Sequence, residues 1–474
     1  MSAPLLDSVG KFPNMTDVLI LGAGGAGYPA AFFLDRAGMS VVMVDPIGNL
    51  GGDCLAEGCV PSKAIREAAL VRRLTEKHAH FGLHGAACDT DWRAVLKHKD
   101  RVQNIRYTQH EAQIAASTVT FAKGRAAIIA PDRARITAAD ATARDIAFRY
   151  LILATGSRPT RLPIPGAELA LTSHDLFRLS TDISQPTHLI IIGGGYIGVE
   201  TASMLQGLGS KATVLEFTPQ LLPGFDPELS TFLHAQLAER VDIRLSAKVT
   251  SIERTDRDYT VRYSHDNTEH TLRGDAVLMS TGREPVLPEG VASLSLRFEH
   301  GNVVVDETLR TSNPRVWAPG DINARSMLFH SAVRQSLVAA HCIAAGGQAV
   351  DRMNFGAVPM TVFTEPELAH VGLTAAQAEN ALGVGAVSVT HYDYGIDSRA
   401  QIYGECHGFI KLVFDRRDGK LLGAQIAGLD AAQLIAPLAL ALERGLVAAD
   451  LAATAFPHPM ISEGLAHAAR AFLP

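Results

Sequence analysis

The sequence predicts an α/β protein built from two copies of one strand–turn–helix–strand unit, followed by a separate C-terminal α+β unit. Three observations carry this. A short apolar run, Asp17-Val18-Leu19-Ile20-Leu21, ends in Gly22-Ala23-Gly24-Gly25-Ala26-Gly27 and enters a helical pattern from 28 to about 37. The same order recurs at 189–192, Gly193-Gly194-Gly195-Tyr196-Ile197-Gly198 and a helical stretch to about 208. From about 356 the pattern changes to alternating runs such as "GFIKLVF" and "KLLGAQIAG", then to Ala- and Leu-rich helices.

Each element has a physical reason. Short continuous apolar runs bounded by glycine are the pattern of strands covered on both faces. A second strand follows each helix: residues 40–44 end at Asp45, and residues 212–215 end at Glu216. The acid stands 23 residues after the first glycine in both copies (22 to 45, 193 to 216), and the copies are offset by 171 residues. Strand before, helix after and acid at the next strand's end are the context that makes a G-x-G-x-x-G turn a dinucleotide signature of Rossmann-like type. Gly22, Gly24 and Gly27, and likewise Gly193, Gly195 and Gly198, let the backbone approach a pyrophosphate, whose charge a helix N-terminus favours. Asp45 and Glu216 are placed to accept ribose hydroxyls. No Arg follows Glu216 in "FTPQ", which favours NAD over NADP at the second site. Two dinucleotide sites in one chain suggest a pair that exchanges hydride, usually a permanently held flavin and a nicotinamide.

Two loops, Ala154-Thr155-Gly156 in "YLILATGSRP" and Ser280-Thr281-Gly282 in "AVLMSTGREP", mark where the chain leaves one unit for the next. A strand in "RVWAPGDI" ends in Gly320-Asp321. The expected units are 14–157 with 282–350, then 158–281, then 355–474. A length of 474 residues exceeds one ordinary domain, and 47% hydrophobic with 19% charged residues is a soluble globular composition. A net charge of −6, with no basic run of five, argues against a nucleic-acid partner. The longest apolar stretches, such as "LIAPLALAL", are about half a membrane span. The N-terminus shows neither a signal nor a transit pattern, so a cytoplasmic protein without membrane association is expected.

Five cysteines in a long chain of this kind, Cys54, Cys59, Cys88, Cys342 and Cys406, are not a secretory disulfide framework. Only Cys54 and Cys59 are close, in "GGDCLAEGCVPSK". The spacing lacks the second pair of a zinc site, and no metal centre is expected. The pair can close a small disulfide ring if the helix is distorted, and a helix start, with Asp53 as its cap, favours a thiolate. Near the end, His458-Pro459-Met460-Ile461-Ser462-Glu463 offers an imidazole with a carboxylate to hold its tautomer, the make-up of an acid–base pair for thiol chemistry. A simple helix-start feature is the alternative there.

Together these residues resemble the class I pyridine nucleotide-disulfide oxidoreductases, the flavoprotein group that includes dihydrolipoamide dehydrogenase, glutathione reductase and mercuric reductase. The likeness runs from about 17 to 472. It includes Val60-Pro61-Ser62-Lys63 after the cysteines, both Thr-Gly loops, Gly320-Asp321, "MLFH", "FTEPELAHVGLT" and "HPMISE".

The resemblance implies a glutathione-reductase-like fold: a discontinuous FAD domain (14–157 and 282–350), an NAD domain (158–281) and a dimerisation domain (355–474). It implies that Cys59 is the flavin-side, charge-transfer thiolate and Cys54 the cysteine that exchanges with substrate. Lys63 and Glu200 become the ion pair on the nicotinamide side of the flavin; without the family they read as a surface lysine and a solvated helix position. His458 and Glu463 become the acid–base pair supplied by the other subunit of a homodimer. FAD contacts are expected from Gly22, Gly24, Gly27, Asp45, Gly52, Asp53, Lys63, Gly124, Thr155, Gly156, Ser157, Asp321, Met327, Leu328 and His330. NAD contacts are expected from Gly193, Gly195, Gly198, Glu200, Glu216, Val249 and Gly282. Within the family the sequence points to oxidation of a dihydrolipoyl dithiol on a carrier protein with reduction of NAD. The C-terminus "HAARAFLP" lacks the vicinal cysteines of the usual mercuric reductase. Two departures, Asp53 for the usual Thr and Ala56-Glu57 for the usual Asn-Val, leave a mercuric-reductase-like or other disulfide substrate as the alternative. A non-catalytic flavoprotein scaffold is opposed by the intact cysteine pair and His458.

Overall fold

The first apolar run becomes the strand Met15–Leu21, parallel to Val41–Asp45 on one side and Ala143–Leu153 on the other. In this computed structural model residues 12–474 are described, so residues 1–11, part of the stretch read as lacking a leader, lie outside the described residues. Val18 and Ile20 pack with Ala30 and Leu34 of the helix Tyr28–Arg36 and with Val338 and Ala339 of the helix Phe329–Ala344. Leu19 and Leu21 face the opposite way, into a core with Ile136 and Ile146. Both faces of the strand are therefore covered, which is why its sequence is continuously apolar rather than alternating.

The sheet continues with Thr120–Ala130 beside Val41–Asp45 and with Val316–Trp317 beside Ala143–Leu153, all parallel. Thr120–Ala130, Arg133–Ala138 and Ala143–Leu153 also form an antiparallel meander. From the sequence a β-rich stretch is expected before each Thr-Gly loop, but only the strand from 150 is delimited there.

The second copy repeats this plan. His188–Ile192 lies parallel between Lys211–Leu215 and Ala276–Met279, with Asp242–Arg244 at the edge. Its meander is Lys248–Thr255, Asp258–His265 and Thr268–Gly274. The duplication reaches backbone detail. Gly22 and Gly193 take φ +106° and +107°, and a Cβ there would lie 2.1 Å from the Ala154 carbonyl oxygen and 2.6 Å from that of Ser280. A Cβ on Gly27 or Gly198 would lie 1.9 or 2.0 Å from the carbonyl oxygen of Gly22 or Gly193. Glycine is required at these four positions by left-handed conformation or by close backbone approach.

A short antiparallel pair, Ser157–Pro159 with Arg283–Pro285, joins the two halves. The last segment is a five-stranded antiparallel sheet in the order Met360–Val362, Leu368–Gly372, Leu421–Ala427, Phe409–Asp415, Val387–Asp393. The helices Ala431–Arg444 and Glu463–Arg470 bury Leu434, Leu438 and Leu465 against it. The architecture is the mixed α/β arrangement that the sequence predicts. Among the described residues no helix is long and apolar enough to cross a membrane.

The second glycine turn allows a paired test. Gly195 has φ −71° and open space where a Cβ would stand, whereas Gly198 does not. Gly198→Ala is expected to lower stability by about 1–3 kcal/mol, the usual cost of overpacking. Gly195→Ala should leave the melting temperature unchanged and weaken NAD(H) binding, read by thermal unfolding and nucleotide titration.

Candidate active site

Beyond the C-terminal ends of the first parallel sheet lies a cavity of about 1080 Å³. Parallel sheets of this kind bind ligands at that edge. Gly22, Gly24, Asp45, Gly52, Asp53, Gly124 and the 155–157 loop line it, as do Asp321, Met327, Leu328 and His330. Gly27 alone of the expected FAD residues is not in the wall; its part is to let the backbone turn beneath Gly22. A Cβ on Gly156 would meet nothing within 4 Å, and one on Gly24 only the Gly52 Cα at 3.7 Å. The two glycines therefore leave room for a ligand to lie against the main chain.

The acids in this wall are held in place. Asp45 accepts the amides of Ala23 at 2.8 Å and Ile47 at 2.8 Å, and its burial raises its pKa. In the second copy Glu216 accepts the Gly194 amide at 2.5 Å, the same contact moved by the repeat. Asp321 accepts the Ser157 hydroxyl at 2.5 Å, and burial lifts its pKa also.

The cysteines share the cavity. Cys54 sits in a short helix, Gly52–Ala56, and Cys59 opens the long helix Cys59–Glu76; the break between them falls at Glu57 and Gly58. Both thiols are free. A hydrogen bond joins them, and it drives their proton affinities apart: Cys54 rises through this bond and its burial. Cys59, exposed in the cavity wall, falls through the same bond, with Lys63 contributing. The two thiols thus differ in how readily they release a proton, Cys59 more readily than Cys54. Lys63 Nζ lies 2.7 Å from Glu200 Oε2 and 4.4 Å from the centre of the Phe363 ring. The Phe363 amide donates to the other Glu200 oxygen at 2.9 Å. Residues that read as surface positions are thus a fixed ion pair in the wall beside Cys59.

One expectation fails. Asp53 does not cap the helix; the cap is Gly51, at φ +107° and with no side-chain bond, and Asp53 lies inside the first turn. Its carboxylate is instead taken by His174 at 3.1 Å and by the Arg283 guanidinium. These two contacts hold its pKa down against the effect of burial. A charged donor competes successfully with the amides of a short helix start. Arg283 also binds Ser157, through the hydroxyl at 2.8 Å and the carbonyl at 2.9 Å, linking Asp53 to the Ser157–Asp321 bond. Neither His174 nor Arg283 is among the residues expected from the sequence. The available signal was a pair of like charges, Asp53 and Glu57, four residues apart, which demands a nearby cation.

The remaining expected residues lie elsewhere. Tyr196, Ile197 and Glu200 bring the second copy's helix to the cavity, whereas Gly193, Gly195, Gly198, Glu216, Val249 and Gly282 are not in its wall. Val249 has its side chain committed to a core with Tyr263 and Leu215. The Arg244 side chain beside Glu216 is held by Asp242 and Tyr263. His458 Nδ1 meets Glu463 Oε2 at 2.8 Å, but the ring is 71% exposed and neither residue faces the cavity of its own chain.

Comparison with known proteins agrees with this geometry. Residues 16–336 match the family model for pyridine nucleotide-disulphide oxidoreductases, and residues 358–469 match that family's dimerisation domain. A dihydrolipoyl dehydrogenase of Geobacillus stearothermophilus is 33% identical over 459 residues, 96% of each chain. That of Bacillus subtilis is 34% identical over 462 residues, also 96% of each chain. Among solved structures, a Cu(II) complex of the HOCl-induced flavoprotein disulfide reductase RclA from Escherichia coli superposes with a TM-score of 0.84. It is 26% identical, and the match covers 97% of this chain and 100% of that one.

An opposite charge a few ångströms away shifts a pKa by about one to three units. In a Cys54→Ser background, Lys63→Met should therefore raise the Cys59 pKa by about one unit or more. The pH dependence of Cys59 alkylation measures this, and an unmoved profile would remove Lys63 from the control of the thiolate.

Proposed function

The chain belongs to the pyridine nucleotide-disulphide oxidoreductases, and we propose that within this family it oxidises a protein-bound dihydrolipoyl dithiol and reduces NAD. FAD and NAD(H) are the cofactors of this enzyme class, and the dimerisation domain gives the chain a means of self-association. The cavity fits FAD: glycines 24 and 156 clear its walls, and Asp45, Ser157 and Asp321 offer polar atoms along it. When bound, the flavin supplies two-electron transfer between a dithiol and a nicotinamide.

The observation that carries the reading is the asymmetry of the cysteine pair. In the oxidised enzyme a substrate thiolate attacks Cys54 Sγ and breaks the Cys54–Cys59 bond, forming a mixed disulfide and releasing the Cys59 thiolate. The second substrate thiolate then attacks the other substrate sulfur, the one bonded to Cys54, forming the substrate disulfide, and Cys54 leaves and takes up a proton. The substrate is oxidised by two electrons and the pair is reduced. The low proton affinity of Cys59, set by Cys54 and Lys63, suits the group that leaves as an anion. The high affinity of Cys54 suits the group that keeps the proton. His458, oriented by Glu463, takes the substrate proton. Because its ring lies away from the cavity of its own chain, that role is assigned to the His458 of a second copy.

Glu216, with the Arg244 guanidinium held by Asp242 and Tyr263, supports NAD rather than NADP. The lipoyl assignment is supported by the names of the relatives that match almost end to end. The Asp53 and Glu57 departures favour a second reading, reduction of another disulfide or of Hg(II), and the Escherichia coli disulfide reductase has the same overall architecture.

NAD reduction by dihydrolipoamide is expected to exceed NADPH-driven reduction of glutathione disulfide, other disulfides or Hg(II) by at least about tenfold in kcat/KM, a transition-state difference of roughly 1.4 kcal/mol. The reverse ranking would overturn the substrate assignment. Mixing inactive Cys54→Ser and His458→Ala chains under subunit exchange should restore part of the activity, because one of the two composite sites then carries both groups. Verified heterodimers without activity would refute the shared site.

A further inference from the structure

The two departures in the redox block, Asp53 and Glu57, flank Cys54, and one side chain from the second copy's half of the molecule spans them. His174 places Nε2 3.1 Å from Asp53 Oδ2 and Nδ1 2.9 Å from Glu57 Oε2. The Asp53 contact is a hydrogen bond and the Glu57 contact an ion-pair distance, so a carboxylate stands at each ring nitrogen and both favour the protonated ring. The charged groups around it are Asp53, Glu57 and Arg283, which shares the Asp53 oxygen, while Tyr107 on the helix Trp92–Ala115 faces Glu57.

The short helix that carries His174, Ser173–Phe177, is fastened at its other end as well. Lys99 Nζ, fully buried, donates to the Arg178 carbonyl at 2.7 Å and to Gln103 Oε1 at 3.0 Å. Gln103 Nε2 in turn donates to the Leu55 and Ala56 carbonyls at 3.0 and 2.8 Å. Side chains and main chain of 53–57 are thus tied to the same helix by two routes.

We propose that His174 is a positioning residue: by bridging Asp53 and Glu57 it latches the central half of the molecule onto the redox segment and fixes how Cys54 is presented to a disulfide. The inference rests on the reading of Cys54 as the exchanging thiol. Each of Asp53, Glu57 and His174 also offers one donor atom, all within 4.8 Å, which a divalent cation could use. Arg283 already holds the Asp53 oxygen, and a guanidinium at that atom opposes a second cation.

The latch depends on pH. Burial opposes the charge on His174, but hydrogen bonds to Asp53 and Glu57 raise its pKa from 6.5 to about 9. The pKa is raised on folding, so the contribution is complete below about 6.5 and is lost as the pH rises through 9.

The test uses the holoenzyme with His174→Gln, His174→Lys and Asp53→Thr/Glu57→Val. His174→Gln should lower dithiol-dependent NAD reduction by about tenfold to a hundredfold, the cost of a reacting group displaced by up to about 1 Å. NADH–ferricyanide turnover, which bypasses Cys54, should change less than twofold. His174→Lys should recover much of the loss and hold its activity above pH 9, where the wild type declines. In the Asp53→Thr/Glu57→Val background His174→Gln should have no further effect. An equal fall in both assays with a lower melting temperature, or no fall at all, would overturn the latch. So would stabilisation of the wild type, but not of His174→Gln, by micromolar Zn(II) or Cu(II) alone, which would make the trio a metal site. If the wild type does not oxidise dihydrolipoamide, the substrate reading fails by itself. The latch is then read in a Cys59→Ser background from the rate at which the Cys54 peptide is modified by 5,5′-dithiobis(2-nitrobenzoate). That rate should fall with His174→Gln, and an unchanged rate would overturn the proposal.

Discussion

The approach of main chain to main chain at Gly22 and Gly193 governs the rest of this structure. In each copy the first glycine of the turn is pressed against the carbonyl of the exit loop, Ala154 or Ser280, at a distance that leaves no room for a Cβ. That contact brings three things to one edge of a parallel sheet: the glycine turn, the acid at the end of the second strand and the loop by which the chain departs. Because the exit loops lead into the paired strands Ser157–Pro159 and Arg283–Pro285, the same contact also sets where the two halves meet. The cavity lies at the first of these edges, and Tyr196, Ile197 and Glu200 of the second copy's helix reach its wall.

Within that cavity two cysteines stand in different settings. Identical side chains five residues apart acquire opposite proton affinities because one donates a hydrogen bond to the other and a lysine stands beside the acceptor. The helix break at Glu57 and Gly58 makes this possible, since a continuous helix would hold residues 54 and 59 on different turns and faces. Lys63 lies one turn beyond Cys59 and is steadied by Glu200 and the Phe363 ring. Three separate parts of the chain thus meet around Cys59.

The junctions between units are charged where they are near the site. Asp53, Glu57, His174 and Arg283 form a cluster whose formal charges cancel when the imidazole is protonated. Lys411 of the last sheet is buried against Asp226, at the start of the helix Pro227–Ala238, at 2.9 Å. Removing one partner of a buried pair such as Lys411–Asp226 leaves an uncompensated charge, which costs about 3–5 kcal/mol. For a reaction that passes electrons between groups supplied by different units, alignment is the property that matters.

The sequence by itself determined the repeat, the strand–turn–helix order, the two terminal acids and the cysteine pair. These are local patterns, written in the spacing of apolar residues and glycines, and spacing survives folding unchanged. It also determined the C-terminal α+β unit, through the change from continuous to alternating apolar runs. The long strand Thr120–Ala130 was illegible because its burial follows no regular period, whereas Arg133–Ala138 alternates in sequence and in burial but is only six residues long. Lys63 and Glu200 could be paired only through family likeness, since 137 residues separate them. Only the tertiary structure decided that Asp53 is an ion-pair acceptor rather than a helix cap, through partners 121 and 230 residues away. The reason is physical. A periodic pattern is repeated along the chain and can be read from any part of it, whereas a single charge finds its partner across a domain junction that no local spacing encodes.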